Sequence, residues 1–374
     1  MVGQRPTVQV KQVRALDARD IAAWEAMRAS NAALYSPYFH IGYTQAVAAL
    51  RDDVRVICAY DAKGLPLGFL PLQGRGFARP VGAPLTDYHG FICHAETKLD
   101  PIALLKEAGI GAYHFSAAVN SELKAFHQTS DQGVLMHMPD GAPAWREVRD
   151  SSYRRHLKSN RRRARKAAED IGEIRCEWKS QDEAVFEQLI GWKAKKFELT
   201  GKYDVLSAGW TLELLRKLWR APKAELRCDM HALYFGERLA AVDLGLSDGQ
   251  TFHSWIVAYD GELHSYAPGI QLLELMIEAS ADMGYNKIDL GAGLDGYKRH
   301  YASEDVSVGT GFIAAQGPAA TLSQLYSKAE KFGQKALKDA PGKLRRRYSQ
   351  IAACEDSFSG RAKAMVSAMR SHGA

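Results

Sequence analysis

One segment of this chain, residues 238–291, restricts the fold more than any other. Residues 238–246 and 251–259 are rich in strand-forming side chains, and a turn-forming Ser-Asp-Gly-Gln separates them. Pro268-Gly269 then precedes a run with an apolar stripe at helical spacing, expected to extend to Met283 and to end at Gly284. The segment therefore predicts the order strand, strand, helix, strand.

The Pro-Gly start of the predicted helix indicates an anion site. Proline is favoured in the first turn of a helix, where backbone N–H groups lack partners inside the helix. These groups and the positive end of the helix dipole attract phosphate. We therefore expect a pyrophosphate-binding site at Pro268-Gly269.

The same segment carries motifs that resemble a known family. Tyr266-Ala267-Pro268-Gly269, Gly284, Asp289-Leu290-Gly291 and Tyr297-Lys298 are similar to motifs of the GNAT acyltransferase superfamily, in particular its FemAB-like and cellulose-biosynthesis-type branch. The resemblance spans roughly residues 130 to 315. Of the better-known pattern Arg/Gln-x-x-Gly-x-Gly/Ala, only Gly269 is in place.

The resemblance implies an α/β fold built from two tandem GNAT-like modules, each a mixed twisted sheet flanked by helices, with a C-terminal helical tail. We expect a degenerate module over 1–140, a catalytic module over 141–316 and the tail over 317–374. The first module has no Pro-Gly helix start like that of the second.

The resemblance also implies an acyl thioester donor, with acyl-CoA as the co-substrate. Acyl carrier protein and aminoacyl-tRNA remain alternative donors. The residues expected to hold the donor are Tyr266, Pro268, Gly269, Ile270, Gln271 and Lys298.

Length and composition indicate a globular chain. Its 374 residues, 46% hydrophobic and 25% charged, are enough for two domains. The N-terminus lacks the apolar core of a signal peptide, and no apolar run approaches the roughly 20 residues of a membrane span, so we expect a cytoplasmic protein that could work at the inner membrane face. Five scattered cysteines without C-x-x-C spacing predict neither a zinc site nor a disulfide framework.

Acyl transfer to an amine needs a base, a stabilised oxyanion and an acid for the leaving thiolate. Asp243 and His253, on neighbouring predicted strands, and Asp289, on the strand after the helix, are candidates for proton transfer or for holding the amine. Tyr297 is a candidate acid. Each has a structural alternative: a hydrogen-bonded strand residue for Asp243 and His253, a loop cap for Asp289 and a surface turn for Tyr297.

A basic helix is predicted over residues 153–169, ahead of the catalytic motifs. We expect Arg161 and Arg165 to contact an anionic donor or acceptor, the alternative being a solvated helix face.

In the N-terminal half, the loops containing Tyr38, Asp87 and Tyr88 are typical of clefts that bind saccharides or peptides. The alternative is that their aromatic rings pack into a hydrophobic core.

Helical spacing of Leu322, Leu325, Ala329 and Phe332 predicts helices in the tail, with Pro341-Gly342 breaking them before a basic stretch. That stretch suggests membrane contact or binding of cyclic di-GMP.

The combined interpretation is an N-acyltransferase acting on an amino sugar in envelope or exopolysaccharide assembly. N-acylation of a sphingoid-type amino alcohol is the enzymatic alternative. A basic nucleic-acid-binding module is disfavoured, and no stable nucleic-acid complex is expected, because zinc ligands, a helix-turn-helix and aromatic-basic RNA motifs are missing.

Overall fold

The computed structural model describes residues 6–74, 76–119, 121–294, 296–337, 340–355, 360–362 and 365. The strands, in chain order, are β1 (Thr7–Lys11), β2 (Val54–Tyr60), β3 (Pro66–Gln73), β4 (Phe77–Pro80), β5 (Ala112–Ala118), β6 (His127–His137), β7 (Ile174–Glu177), β8 (Arg227–Phe235), β9 (Arg238–Ser247), β10 (Thr251–Tyr259), β11 (Lys287–Ala292) and β12 (Glu304–Ala314).

Helices connect most of these strands. They are α1 (Ala18–Ser30), α2 (Ile41–Ala48), α3 (Pro101–Glu107), α4 (Gly141–Glu147), α5 (Ser151–Asp170), α6 (Glu183–Leu199), α7 (Trp210–Trp219), α8 (Pro268–Glu278), α9 (Gly317–Leu337) and α10 (Ala340–Cys354). Residues that cap the helix N-termini explain where several of these helices begin. Asp17 and Asp20 form a capping box at α1, and the Asp150 carboxylate accepts the Tyr153 N–H at the start of α5.

The first compact unit comprises Met1–Asp131, Gly201–Leu214 and Ser307–Ala374. Its strands lie in the order β1-β2-β3-β4-β5-β12. The β4–β5 pair is parallel, whereas β1–β2, β2–β3, β3–β4 and β5–β12 are antiparallel. Side chains from the strands and from α3, including Leu70, Leu105 and Tyr113, form its buried core.

The second compact unit comprises Gln132–Thr200 and Leu215–Val306. Its strands lie in the order β6-β11-β10-β9-β8-β7, and β10–β11 is the parallel pair. Helices α4, α5 and α8 contribute to two buried clusters, one around Phe252 and Met276 and one around Leu233 and Leu272. Leu273 and Ile277 of the predicted apolar stripe of α8 are buried in the first cluster, whereas Ala281, also expected in that stripe, lies beyond the end of the helix and is exposed.

The two halves of the chain repeat one succession of elements: a strand, two helices, three strands, a helix and a strand. It runs from β1 to β5 and again from β7 to β11. The parallel pair falls at the same place in both, between the fourth and fifth strands of the succession. The predicted mixed α/β class is confirmed. The module boundaries at residues 140 and 316 stay a prediction.

Two local expectations were wrong. α8 ends at Glu278 and not near Met283, because the Tyr285 N–H bonds the Ser280 carbonyl and closes a turn. Gly284 lies in that turn with φ of +88°, the left-handed conformation expected of it. In the tail, α9 ends at Leu337 and α10 begins at Ala340, so the helices are divided ahead of Pro341, which lies in the first turn of α10, and not at Pro341-Gly342.

Candidate active site

The strands β10 and β11 separate part-way along their length. They pair only over Thr251–His253 and Lys287–Asp289, although they continue to Tyr259 and Ala292. At the same level β10 shifts register against β9, between Ser254 and Ile256. Such bulges often re-aim side chains beside functional sites. The sheet of the second unit therefore opens just beyond the His253–Asp289 pair.

Asp243, on β9, is a buried carboxyl group with one oxygen free of protein partners. Its side chain is 4% exposed. The Ser254 hydroxyl donates a 2.7 Å hydrogen bond to Oδ2, whereas Oδ1 has no hydrogen-bond partner among the described residues. Burial raises the pKa of Asp243 to about 7, although the Ser254 hydrogen bond and nearby His253 and Lys193 oppose the shift. A carboxyl group with this pKa can exchange a proton at neutral pH.

His253 and Asp289 form a closed pair. His253 Nδ1 lies 3.5 Å from Asp289 Oδ2, and both side chains are fully buried. Asp289 Oδ1 also accepts the Gly291 N–H at 2.7 Å. The structural role expected as the alternative for Asp289, capping the following loop, is thus present.

The strand register separates His253 from Asp243. His253 pairs with Leu246, and Asp243 pairs with Val257. Residues 243 and 246 are an odd number apart on a regular stretch of β9, so their partners lie on opposite faces. Regular alternation along β10 would place His253 on the face of Val257, but the bulge between Ser254 and Ile256 shifts the alternation by one residue.

Tyr297 provides a protonated hydroxyl near Asp243. The side chain is 39% exposed. Desolvation, together with the negative charge of Asp243, raises the pKa of Tyr297. The phenol therefore keeps its proton at neutral pH and can donate it. The neighbouring Lys298 is held in place, because its ammonium donates a 2.6 Å hydrogen bond to the Leu290 carbonyl on β11.

A buried hydrogen-bond network anchors the segment that carries Tyr297. The Tyr301 ring lies 6.1 Å from that of Tyr297, and its hydroxyl donates to Glu274 Oε1 at 2.7 Å. Tyr153 on α5 and Arg146 on α4 donate to the other oxygen of Glu274. Three elements therefore converge on one carboxylate of α8. No sequence motif indicated this arrangement.

The N-terminus of α8 is open. Ala267 takes a left-handed conformation, φ of +53°, and no side chain caps the helix. Pro268 has no N–H, and the Ile270 and Gln271 N–H groups both bond the Ala267 carbonyl. Gly269 thus carries the first N–H that remains available, and the set of free donors is smaller than the sequence suggested.

The equivalent helix of the first unit differs at this point. The Asp100 carboxylate accepts the N–H groups of Ile102 and Ala103, at 3.0 and 3.1 Å, at the start of α3. A fixed carboxylate there repels a second anion and uses the donors an anion would need. An anion site at this helix start therefore fits α8 and not α3.

Two of the residues expected to hold the donor serve to fasten the helix start. The Tyr266 hydroxyl donates to Asp170 on α5 at 2.7 Å. The Gln271 amide donates to the Asn160 carbonyl at 2.8 Å and is 5% exposed. Asn160 itself was missed by the sequence analysis. It is 1% exposed, and its Nδ2 has no hydrogen-bond partner within the described residues. Its only signal was an amide side chain inside an arginine-rich helix.

The segment that contains these residues is similar to a known domain family. Residues 151–299 match the acetyltransferase (GNAT) domain. The GNAT match begins with α5 and contains Asp243, the His253–Asp289 pair, Tyr297 and the open start of α8. The predicted resemblance is confirmed at the level of the superfamily. No curated protein matches the chain in sequence.

Solved structures are similar to the chain at low identity. A conserved protein of unknown function from Bacteroides thetaiotaomicron VPI-5482 is 10% identical, with a TM-score of 0.50, over 82% of this chain and 100% of its own. The C-terminal domain of a putative lysylphosphatidylglycerol synthetase from Agrobacterium fabrum is 12% identical, with a TM-score of 0.47, over 82% and 95%. A tandem GNAT protein from the clavulanic acid pathway is 8% identical, with a TM-score of 0.45, over 83% and 99%. The first likeness supports the fold alone, and the other two scores are too low to support an argument.

The GNAT-matching region opens with the predicted basic helix, α5. Arg161, Arg162 and Arg165 are exposed, and none of them forms an ion pair with a described residue. The buried side chains of the helix are Tyr153, Asn160 and Ala167. α5 contacts α8 and the short helical turn before it. Its unpaired positive charge is therefore carried by an element that packs beside the open helix start.

Replacing Arg161, Arg162 and Arg165 together with Gln is expected to weaken binding of an anionic donor and to reduce its salt dependence. Thermal unfolding should change by only a degree or two, because exposed charges contribute little to folding. Calorimetric titration with coenzyme A at two salt concentrations measures both effects. Unchanged affinity at low salt would identify α5 as a merely solvated helix.

The N-terminal residues expected to bind substrate are placed differently. Tyr38 and Tyr88 are 3% and 1% exposed, and the Tyr38 hydroxyl donates to the Leu85 carbonyl. Asp87 is half-buried. The two rings thus belong to the core of the first unit, which was the structural alternative for these loops.

Among the described residues, no group of His, Cys, Asp and Glu is arranged to hold a metal ion. None of the helices in the described ranges has the length and apolar character that a membrane span requires. The basic stretch expected to bind cyclic di-GMP starts at Lys343, and its side chains up to Arg346 lie outside the described residues.

Proposed function

We propose that this protein is an N-acyltransferase that moves an acyl group from an acyl thioester to an amine. The observation that carries the proposal is Asp243, a buried carboxyl group with a pKa of about 7 and an unpartnered oxygen, beside the opening between β10 and β11. A protonated amine must lose a proton before it attacks. A carboxylate with a free acceptor atom and a near-neutral pKa is suited to take it.

Each side chain then has a defined part. Asp243 Oδ1 accepts the proton of the amine, while Ser254 holds Oδ2. The neutral amine nitrogen then forms a bond to the acyl carbon, and the carbon–sulfur bond breaks with its electron pair leaving on sulfur. Tyr297 donates its proton to that sulfur, and the second proton released by the nitrogen restores the Tyr297 hydroxyl. We assign His253 and Asp289 to support the strand opening, because they are fully buried. Lys298 holds the Leu290 carbonyl of β11.

The donor we propose is acyl-CoA, which supplies an activated acyl carbon and a stable thiol leaving group. The chain offers a fitting place for its phosphates: the uncapped start of α8 with the available Gly269 N–H, beside the arginines of α5. The match of residues 151–299 to a GNAT domain supports the same donor. Acyl carrier protein is the alternative that the assay below separates.

For the acceptor we keep the amino sugar of envelope or exopolysaccharide assembly as the first compound to test. Asp243 is suited to deprotonate an amine, but it does not distinguish an amino sugar from another amine-containing molecule. Tyr38 and Tyr88, expected to cover a sugar face, are buried and lend no support. The assay therefore compares amino sugars with long-chain amino alcohols.

The test is incubation of the protein with acyl-CoA or acyl carrier protein thioesters and each class of amine, with products identified by mass spectrometry. We expect an amide with one class and coenzyme A release that depends on that amine. Coenzyme A alone should also raise the melting temperature, since a ligand at a hundredfold excess over its dissociation constant stabilises by about 2.7 kcal/mol. No stabilisation and no amide with any thioester would contradict the proposal.

A further inference from the structure

The helix α9 packs on the first unit with its polar side inward. Ser323 is 4% exposed, and its hydroxyl lies 2.9 Å from Nε2 of His114 on β5. Ser327 accepts a hydrogen bond from Gln128, which lies in the part of β6 that belongs to the first unit. A surface helix ordinarily buries its apolar stripe and exposes its polar one. α9 does the reverse over the turns that contain these serines.

The outward side of α9 is apolar. Leu322 is 55% exposed, Leu325 is 56% exposed and Phe332 is 80% exposed. They recur at intervals of three and seven residues, so they lie along one strip of the helix. We call Leu322, Leu325 and Phe332 the α9 strip. Large exposed side chains grouped in this way mark interaction surfaces, because solvated apolar groups are otherwise scattered singly.

Basic residues surround the strip in the sequence. Residues 317–374 contain eleven Lys and Arg against four Asp and Glu, whereas the whole chain has a net charge of +6. This terminal segment therefore carries all of the net positive charge of the protein. Lys328, between Leu325 and Phe332, is exposed on α9 itself.

These observations favour one kind of partner. A second copy of the chain would bring another strongly basic segment against the first, and like charges oppose that contact. An anionic lipid surface offers an apolar layer for leucine and phenylalanine under a layer of negative headgroups for lysine and arginine. We propose that the α9 strip docks the protein on anionic phospholipid membranes, lying in the interface without spanning it.

The proposal is tested with vesicles of phosphatidylcholine alone and of phosphatidylcholine mixed with phosphatidylglycerol, using the full-length protein in a sedimentation assay. We expect binding to the mixed vesicles that weakens as salt is raised. Replacing Leu325 and Phe332 with Gln should weaken that binding by roughly tenfold or more, since each loses apolar surface that the interface would bury. Lys328→Gln should weaken it by a smaller factor, roughly fivefold.

The matched control is Leu199→Gln in the second unit, because Leu199 is 76% exposed, close to the exposure of Phe332. It should bind vesicles like the unaltered protein. Equal binding by the control and the Leu325/Phe332 variant would overturn the proposal. The proposal would also be overturned if analytical ultracentrifugation showed that the unaltered protein and the Leu199→Gln control are dimers, whereas the Leu325/Phe332 variant is a monomer. That result would show that the α9 strip binds a second copy of the chain. Neither result bears on acyl transfer, which is assayed with amino sugars in the absence of vesicles.

Discussion

Asp243→Asn is expected to lower turnover by about a hundred- to ten-thousandfold while coenzyme A still binds. A positioned general base contributes that range of acceleration, and an amide has the shape of the carboxylate without its capacity to accept a proton. Steady-state kinetics with the accepted amine, together with a coenzyme A thermal shift, separate chemistry from donor binding. Asp305→Asn is the matched control, because this carboxylate is exposed and accepts a hydrogen bond from Gln132.

The pH profile adds a second measurement at the same residue. With a pKa of about 7, Asp243 becomes competent as pH rises through neutrality, so turnover should rise over that range. Ser254→Ala removes a hydrogen bond that favours the charged form, and the rise should move to higher pH. In Asp243→Asn the rise should be replaced by a partial recovery at alkaline pH, where the free amine forms without help.

The stability of Asp243→Asn should change in the opposite direction to its activity. The folded-state pKa of about 7 lies above the ordinary value of 3.8, so the folded state binds the proton more tightly than the unfolded state. Stability is therefore lost as pH rises between these two values. Above pH 7 the variant, which buries no charge there, should unfold at higher urea concentration than the unaltered protein.

Retention of near-normal turnover by Asp243→Asn at neutral pH would remove Asp243 from the mechanism. The same result in Tyr297→Phe would show that the opening between β10 and β11 is not the catalytic cleft. The next candidate for the catalytic site would be the loop that contains Asp87, a half-buried residue.

Gly269→Asp is expected to abolish stabilisation by coenzyme A without unfolding the protein. A carboxylate at the second position of α8 would occupy the place where phosphate meets the helix dipole, as Asp100 does at α3. The backbone should tolerate the change, because a Cβ at Gly269 would meet only Tyr259 Cδ1, at 3.7 Å. Differential scanning fluorimetry with and without coenzyme A measures the effect.

Gly269→Ala separates charge from bulk in this experiment. It adds the same Cβ without the carboxylate, and it should keep most of the coenzyme A shift. If Gly269→Asp still responds to coenzyme A as the unaltered protein does, the phosphates bind elsewhere. If both variants lose the response equally, space and not charge decides binding at this position.

Much of the second unit could be predicted locally. The strands β9 and β10, the Pro268 helix start and the left-handed Gly284 follow from periodicity and from residues with restricted backbone preferences. These signals act over a few residues. The early end of α8 could not be predicted in this way, because the turn over 279–284 is closed by hydrogen bonds and buried side chains beyond the reach of the helical pattern.

The repeat of element order was visible only in outline in the sequence, since few residues are shared between the halves. The structure shows it through strand pairing, with the single parallel pair at the same place in both successions. Strands that pair are far apart in the chain, and the residue types within a strand do not indicate which distant strand it will pair with. Strand pairing therefore could not be predicted from the sequence.

The sequence by itself determined the secondary structure around the site and the types of residue that could act there, because helix starts, turns and strand alternation depend on neighbouring residues. Tertiary structure decided the surroundings of each of those residues. His253 and Asp289 are buried together, and Tyr38 and Tyr88 are core side chains. Asp243 keeps one oxygen without a hydrogen-bond partner among the described residues. The bulge in β10 placed His253 and Asp243 on opposite faces of the sheet. The pKa of a carboxyl group depends on its burial and its partners, which only the assembled sheet supplies.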